Sequence, residues 1–280
     1  MPELPEVENV RLGLKPILEG RVLARVILRR PSLRLPFPPD FVKRLEGRRV
    51  LKVDRRGKYL LFRLDDGSAL IAHLGMSGRF LFFNGEAPPP GAHDHVIMET
   101  DRSVVIYYND PRRFGLMTLA EADELDRHPL LAKLGAEPLD GEINGDYLAA
   151  HIKKRGGPIK AALLDQGIVA GIGNIYASEI LFRAGISPTR PANSIDGACA
   201  ERLAAAIKEV LSEAVAAGGS TLRDYRTPNG ESGSFQQSFA VYGRSGKPCS
   251  GCDCDLTRTG GVKRITQSGR STFYCAERQR

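Results

Sequence analysis

Residues 163–186 read LLDQGIVAGIGNIYASEILFRAGI, two apolar helical runs that meet at the Gly-Ile-Gly of residues 171–173. Glycines at such a junction let the backbone approach a ligand closely, and the free N–H groups at a helix start bind phosphate. The spacing predicts that Asn174 caps the second helix. An ordinary turn between helices would explain the glycines alone, but Arg155 and Lys160 add positive charge just upstream. The stretch therefore favours a clamp for the phosphates of a nucleic acid.

The patterns of the region that contains this stretch and of the region before it indicate an α+β protein. From about residue 123 to 219 the chain is rich in alanine and leucine at helical spacing. Residues 20–120 instead contain short runs that alternate apolar and polar positions, a pattern typical of an antiparallel sandwich or barrel. In the run over residues 21–30, this alternation predicts that Ala24 and Val26 share one face of a strand.

The length of 280 residues suits two ordinary domains. We predict an N-terminal domain over residues 1–130 and a linker over residues 131–145, where proline and glycine interrupt the periodicity. A helical DNA-binding domain is predicted over residues 146–235. A C-terminal finger follows over residues 236–280, where the pattern is again typical of strands and turns.

Composition narrows the class of protein and of partner. The chain has a formal net charge of +7, and 42% of its residues are hydrophobic. It shows neither a 20-residue apolar span nor a signal peptide, which predicts a soluble, cytoplasmic protein without a membrane partner. Four of the five cysteines lie in the basic stretch 241–280. In a cytoplasmic chain, such a stretch is typical of a metal-binding module that contacts nucleic acid rather than of a disulfide scaffold.

The first eight residues, MPELPEVE, allow two interpretations. Proline and acids are favoured in the first turn of a helix, and the apolar spacing predicts a helix over residues 5–19. Pro2 and Glu3 lie ahead of that helix, which leaves them unexplained. Removal of Met1 would turn Pro2 into a secondary amine beside a carboxyl group. Such an amine is partly neutral near pH 7, and its attack on a sugar carbon forms an iminium that acts as an electron sink.

Other turns present side chains with a choice of roles. Arg112 and Phe114 in DPRRFG lie on a tight turn, and Met76 in HLGMSGR lies between two glycines. They are explained either as capped surface turns or as side chains that enter a DNA stack and fill the space of an extruded base. Lys58 in RRGKYL is either a solvated lysine or a proton-transfer group. QSGR predicts a hairpin turn that presents Arg270 to a phosphate.

The cysteines of the tail match a zinc site incompletely. Cys249-x-x-Cys252 is half of such a site, and the second half should be another Cys-x-x-Cys. Instead, Cys275 is followed three places later by Arg278. Cys254 supplies a further thiol, so that four thiolates are available to one zinc ion. The alternative is a finger held together by packing without a metal.

Eight motifs occur here in a fixed order from the first residue to the last few: MPELPEVE, RRGKYL, HLGMSGR, HDH, NDPRRFG, GIGNIYASE, VYGR and GRSTFYC. Together they resemble the bacterial formamidopyrimidine-DNA glycosylase family (Fpg/Nei), bifunctional repair enzymes for oxidised purines. The related endonuclease-VIII type typically has glycine where Leu4 stands, so the resemblance favours the purine-repair branch. It implies an N-terminal β-sandwich carrying the terminal helix, and a C-terminal domain with a helix–two-turns–helix motif and a β-hairpin zinc finger.

The resemblance also implies a role for individual residues. Pro2 is the expected nucleophile at C1′ of the damaged nucleotide, and Glu3 the acid acting on the sugar ring. Lys58 is the expected proton donor in β-elimination, and Arg270 the phosphate-binding residue of δ-elimination. The expected DNA-contacting residues are Met76, His93, Arg112, Phe114, Arg155, Lys160 and Asn174. The expected zinc ligands are Cys249, Cys252, Cys254 and Cys275.

The implied activity is excision of 8-oxoguanine and formamidopyrimidines from duplex DNA, followed by β,δ-elimination at the abasic site. The segment 221–234 corresponds to a loop that closes over the flipped base, and the enzyme is expected to act as a monomer. Two alternatives fit the same residues. One is a catalytically silent DNA-binding protein, and the other is an endonuclease-VIII specificity for oxidised pyrimidines.

Overall fold

The computed structural model describes three stretches of the chain, residues 1–221, 233–253 and 255–280. Its internal contacts divide the chain into two compact units. Met1–Ala132 and Gly218–Ser234 form the first, and Lys133–Ala217 and Phe235–Arg280 form the second. The chain therefore leaves the first unit and later returns to it, whereas the predicted linker and finger boundaries stay predictions. Among the described stretches, no helix is long and apolar enough to cross a membrane.

The first unit contains eight strands and two helices in its described part. The strands are β1 Leu23–Leu28, β2 Val50–Arg56, β3 Tyr59–Leu64, β4 Ala69–His73, β5 Arg79–Asn84, β6 Asp94–Thr100, β7 Val104–Asn109 and β8 Leu116–Ala120. The helices are α1 Leu4–Leu18 and α2 Phe41–Leu45. The strands form two antiparallel sheets in the orders β1-β6-β7-β5 and β2-β3-β4-β8. The predicted β-sandwich is confirmed, although the sequence patterns miss α2 and β8.

Helix α1 packs on the β-sandwich through a stripe at helical spacing. Val7, Val10, Leu14 and Leu18 are buried in the same apolar cluster as the inward residues of the strands. Periodicity predicts this helix to within one residue at each end, because its burial follows one face.

A β-bulge overturns the predicted pattern of β1. Ala24 is exposed, whereas Leu23 and Val26 are buried. The pairing register with β6 shifts between Leu23 and Arg25, so one extra residue interrupts the alternation. The expectation that Ala24 and Val26 share one face is wrong for this reason.

The second unit contains the predicted helices and a terminal hairpin. Its elements are α3 Gly145–Ile152, α4 Ile159–Leu163, α5 Asn174–Ala184, α6 Gly197–Ala216, α7 Leu256–Thr259, β9 Lys263–Gln267 and β10 Arg270–Tyr274. Tyr176, Ile180, Leu203 and Ile207 are fully buried where α5 packs on α6. Helix α5 begins directly after the glycine junction, as expected. The prediction that two helices meet there is wrong for the first of them, because α4 ends at Leu163 and residues 164–173 form turns and loop.

Candidate active site and nucleic-acid interface

Pro2 and Glu3 lie inside the first unit, directly after an exposed residue. Met1 is 54% exposed, whereas Pro2 and Glu3 are buried. Glu3 is the N-cap residue of α1 and forms a capping box with Glu6, in which the Glu3 N–H donates to Glu6 Oε2 at 2.8 Å. The interpretation of these residues as a helix start therefore accounts for the capping box of Glu3 and Glu6. It leaves Pro2 directly ahead of the cap, buried and beside a carboxyl group.

Glu6 is a buried anchor that the sequence patterns do not single out. Its Oε1 accepts the Ser220 N–H at 2.7 Å and the Ser220 hydroxyl at 3.0 Å. Ser220 directly precedes the segment predicted to close over the flipped base, of which residues 222–232 lie outside the described residues. The same acid thus holds both the start of α1 and the approach to that segment.

Lys58 occupies the two-residue turn between β2 and β3, where Arg56 pairs with Tyr59. Gly57 precedes it with φ 56°, the pattern of a type II′ hairpin turn with glycine in the first central position. Lys58 is only 7% exposed. A solvated surface lysine is therefore excluded, and an amine kept from bulk water at a turn is suited to proton transfer.

His73 lies at the end of β4, directly opposite Tyr59 in the sheet. Burial, together with the positive charges of Lys58 and Arg34, lowers the pKa of His73 from 6.5 to about 4. Its Nδ1 accepts the Gly75 N–H at 3.0 Å, which assigns the ring proton to Nε2. Neutral His73 therefore supports the Met76 turn from its N-terminal side, in a motif whose histidine we did not predict as a site residue.

This histidine gives a prediction for stability against pH. Because the pKa of His73 is depressed by folding, the unfolded chain binds more protons between about pH 6.5 and pH 4, and stability falls as the pH decreases through that window. Urea unfolding at pH 7.5 and pH 5 should show that His73→Asn removes about 2 kcal/mol of the pH-dependent loss. The control is His151→Asn, at an exposed ring. An unchanged pH dependence in the His73 variant would contradict the assignment.

The structure brings the three predicted intercalating side chains together on two adjacent turns. Met76 and Phe114 are 37% and 45% exposed, and the Arg112 guanidinium lies 4.9 Å from the centre of the Phe114 ring. At Gly75, where φ is +61°, an added Cβ would overlap the Phe114 carbonyl. The backbones of the two turns are therefore in direct contact.

A buried aspartate holds these turns in register. Asp110 is fully buried and accepts the Ser77 hydroxyl at 2.6 Å and the Gly115 N–H at 2.8 Å. Ser77 Oγ in turn accepts the Arg112 N–H at 3.1 Å. The Asp110 N–H donates to the carbonyl of His93, whose side chain is exposed. Three separate motifs that carry predicted DNA contacts thus meet at one residue, Asp110.

In the second unit, Lys160 and Asn174 form a buried hydrogen-bond network with the β9–β10 hairpin. Lys160 is 1% exposed, and its Nζ donates to Asn174 Oδ1 at 2.7 Å, Thr272 Oγ1 at 2.7 Å and the Ser271 carbonyl at 3.2 Å. Asn174 Nδ2 also donates to the Ser271 carbonyl, at 2.9 Å. The N-cap of α5 is Gly173, so the predicted cap by Asn174 is wrong. Its amide oxygen is instead occupied by Lys160.

The hairpin presents Arg270 as expected. Ser268 and Gly269 both have positive φ, 49° and 73°, as a type I′ turn requires. Arg270 is the first residue of β10 and has an exposed side chain. It directly precedes Ser271, whose carbonyl belongs to the hydrogen-bond network of Lys160. Arg155 is exposed and pairs with Asp165 at 2.8 Å, so its role as a DNA contact stays a prediction.

Glu179, in the GIGNIYASE motif, secures the segment ahead of the finger. Its carboxylate accepts the N–H groups of Ala240, Val241 and Tyr242 at 2.7 to 3.0 Å. Burial raises the pKa of this carboxyl. The acid therefore joins α5 to VYGR, a contact that spans about sixty residues and that no local pattern indicates.

Three of the four predicted zinc ligands are brought together. The Sγ atoms of Cys249, Cys252 and Cys275 lie within 4.8 Å of one another. Ligands of a tetrahedral zinc ion are separated by about 3.8 Å, so this set fits three positions of such a site. Cys254 lies outside the described residues. Arg278 Nη1 donates to the Gly251 carbonyl at 2.9 Å, and its guanidinium lies 5.0 Å from the Phe182 ring centre.

Comparisons with known proteins match both units. Residues 1–117 match the model of the formamidopyrimidine-DNA glycosylase N-terminal domain, and residues 134–226 match that of the formamidopyrimidine-DNA glycosylase H2TH domain. The formamidopyrimidine-DNA glycosylases of Rhodospirillum rubrum and Rhodospirillum centenum are 60% and 55% identical to this chain, over the full length of each protein.

Solved structures agree with these matches. The MutM (Fpg) protein from Thermus thermophilus has a TM-score of 0.86 at 43% identity, over 99% of this chain and 98% of that one. Lactococcus lactis Fpg in complex with abasic-site DNA has a TM-score of 0.87 at 33% identity, over 99% of each chain. Since both family models match and these relatives are similar over the full length of the chain, the chain belongs to the formamidopyrimidine-DNA glycosylase family.

Proposed function

We propose that this chain is a bifunctional DNA glycosylase and abasic-site lyase that excises 8-oxoguanine and formamidopyrimidines from duplex DNA. The observation that carries the proposal is the buried Pro2-Glu3 pair at the head of α1. Family membership and the DNA-bound relatives, whose DNA contains an abasic site or Fapy-dG, support it. Leu4, in the position where endonuclease VIII typically has glycine, supports preference for oxidised purines.

The proposed reaction begins with the Pro2 nitrogen. Removal of Met1 frees it as a secondary amine, and an α-amine has an ordinary pKa of about 8. The nitrogen lone pair forms a bond to C1′, and the C1′–N bond to the damaged base breaks. The Pro2 nitrogen gives up its N–H proton, and the departing base takes up one proton in exchange. Glu3 delivers a proton to the ring oxygen O4′ as the sugar opens and the C1′–N bond to Pro2 becomes an iminium.

Strand cleavage follows from the acidity that the iminium confers. A proton leaves C2′, the electron pair forms a C2′–C3′ double bond, and the 3′ phosphate departs. In a second elimination a proton leaves C4′, its electron pair forms a C4′–C5′ double bond, and the 5′ phosphate departs. Lys58 is the proton donor in the first elimination, and Arg270 stabilises the departing phosphate in the second. These roles agree with a buried amine on a fixed turn and an exposed guanidinium at a hairpin start.

Access to the sugar requires extrusion of the damaged nucleotide, which costs a few kcal/mol. Met76, Arg112 and Phe114 offset this cost by occupying the vacated space in the stack. Their exposure and the Asp110 network that fixes their turns support this role. His93, Arg155, Lys160 and Asn174 are proposed to hold or support the DNA backbone, and monomeric action stays a prediction.

Borohydride trapping tests the function. Protein freed of Met1 is incubated with duplex containing 8-oxoguanine and with borohydride, which reduces the iminium to a stable amine. We expect a covalent protein–DNA adduct, and strand cleavage without borohydride. Lesion binding with no adduct would support a silent DNA-binding protein. Stronger trapping on an oxidised pyrimidine in the same tube would support the endonuclease-VIII specificity.

We also propose that the finger holds one zinc ion through Cys249, Cys252, Cys254 and Cys275. The converging Sγ atoms of the three described cysteines support the site. Bound zinc would crosslink the finger and so support the hairpin that carries Arg270. Arg278 has no acceptor atom and so takes no place among the ligands.

Metal analysis tests this site. Purified protein should contain about one zinc ion per chain, and Cys252→Ser should lower that content and the melting temperature. Cys254→Ser should lower the zinc content too. Cys199→Ser, at a buried cysteine of the helical core, should leave the zinc content unchanged. Zinc content near zero in wild-type protein would instead support a finger held by packing alone.

A further inference from the structure

We propose that Glu8 and Arg55 form a buried brace that holds the turn of Lys58 against the helix that follows Pro2, and that both are positioning residues for strand cleavage. The proposal rests on the function proposed above. It adds two residues to which the site motifs assign no role, although Glu8 closes MPELPEVE and Arg55 opens RRGKYL.

The brace connects α1 to the turn that carries Lys58. Arg55 Nε donates to Glu8 Oε2 at 2.9 Å, and Arg55 Nη1 donates to the Gly57 carbonyl at 2.9 Å. The Arg55 and Glu8 side chains are 7% and 14% exposed. One guanidinium therefore holds a helix side chain and a turn carbonyl at the same time, shielded from water.

The Gly57 carbonyl belongs to the peptide unit that includes the Lys58 nitrogen. In a two-residue hairpin turn, flipping this central peptide converts a type II′ turn into a type I′ turn and changes the sign of φ at the second residue. Glycine at the first position opposes neither form. Holding the carbonyl selects one form, and with it the direction in which the Lys58 side chain leaves the backbone.

A second arginine completes the support. Arg11 Nη2 donates to Glu8 Oε1 at 2.6 Å, and Arg11 Nη1 donates to the Val53 carbonyl of β2 at 3.2 Å. Burial alone would raise the pKa of Glu8, but the hydrogen bonds and charges of Arg11 and Arg55 lower it overall. Glu8 thus remains an anion that holds two arginines, each bonded to the backbone of the hairpin.

Arg55→Lys is the main test, because lysine keeps the charge but loses the two-pronged geometry. Two rates are measured in single turnover on duplex with a preformed abasic site: borohydride trapping, and strand cleavage. We expect cleavage to slow at least about tenfold more than trapping, since misplacement of a proton-transfer group by about 1 Å can cost a hundredfold. Arg63→Lys, at an exposed partner of Asp54 on the same hairpin, is the matched control and should leave both rates within about twofold.

The variant Lys58→Ala makes the test specific. In that background, Arg55→Lys should slow cleavage no further, because the group that it positions is gone. Equal slowing with and without Lys58 would overturn the proposal and show a general structural effect. Loss of trapping and cleavage in equal measure would overturn it too.

Glu8→Gln is the second variant, because it removes the charge and keeps the shape should Arg55→Lys fold poorly. Retention of the wild-type ratio of cleavage to trapping in folded Glu8→Gln protein would also overturn the brace. Failure of the proposed function is distinguishable, because the wild-type protein would then give no trapped adduct at all.

Discussion

Pro2→Gly protein, freed of Met1, should excise 8-oxoguanine roughly a hundredfold more slowly than the wild type while binding a lesion duplex within about threefold. The change leaves a primary amine on a flexible residue. Its imine carries a positive charge only when protonated, whereas the proline iminium is charged at any pH. The electron sink is therefore weakened and the nucleophile is less well oriented, although the DNA-contacting turns are unchanged.

Single-turnover excision and binding to an uncleavable abasic analogue measure the two quantities separately. Pro5→Ala is the matched control, because Pro5 is also buried at the start of α1 but lies beyond the proposed chemistry. It should change excision far less than the Pro2 variant does. A Pro2→Gly protein that loses binding and excision to the same extent would make the N-terminus a structural cap and not a nucleophile.

Lys160→Met should lower the free energy of unfolding by about 3 kcal/mol, and slow strand cleavage, without removing any exposed DNA contact. The substitution leaves the half-buried Asn174 Oδ1 and the fully buried Thr272 Oγ1 without the amine that now donates to both. An unsatisfied buried polar atom costs about 1 to 3 kcal/mol. Because the same amine also holds the Ser271 carbonyl, the position of the neighbouring Arg270 should become less defined.

Chemical denaturation and abasic-site cleavage check this expectation. Lys208→Met, at an exposed lysine of α6, is the control and should change stability by less than about 0.5 kcal/mol. A stability change that small in the Lys160 variant, together with weaker DNA binding, would contradict the structural role. It would make Lys160 a direct phosphate contact.

Local periodicity predicts the parts of the fold that depend on one face of one element. Helix α1 follows its pattern to within one residue at each end, because it buries one continuous stripe. The bulge at Leu23 and Ala24 does not follow, since it is set by pairing with β6 about seventy residues later. The cap predicted for Asn174 fails similarly, because a lysine fourteen residues away takes its side chain.

The candidate site likewise contains residues that local sequence predicts and residues that it does not. Pro2, Glu3 and Lys58 are named by short motifs whose chemistry is visible in the residues themselves. The groups that hold them in place are paired across long separations, such as 47 residues between Glu8 and Arg55 and 33 residues between Ser77 and Asp110. No single stretch of sequence contains both partners, so only the folded chain shows the pairs.

Peptide mapping of the borohydride-trapped adduct tests the central claim most directly. After nuclease and protease digestion, mass spectrometry should place the reduced sugar on the N-terminal peptide, attached to the nitrogen of Pro2 with Met1 absent. Attachment at a lysine, or full activity in protein that retains Met1, would contradict the account.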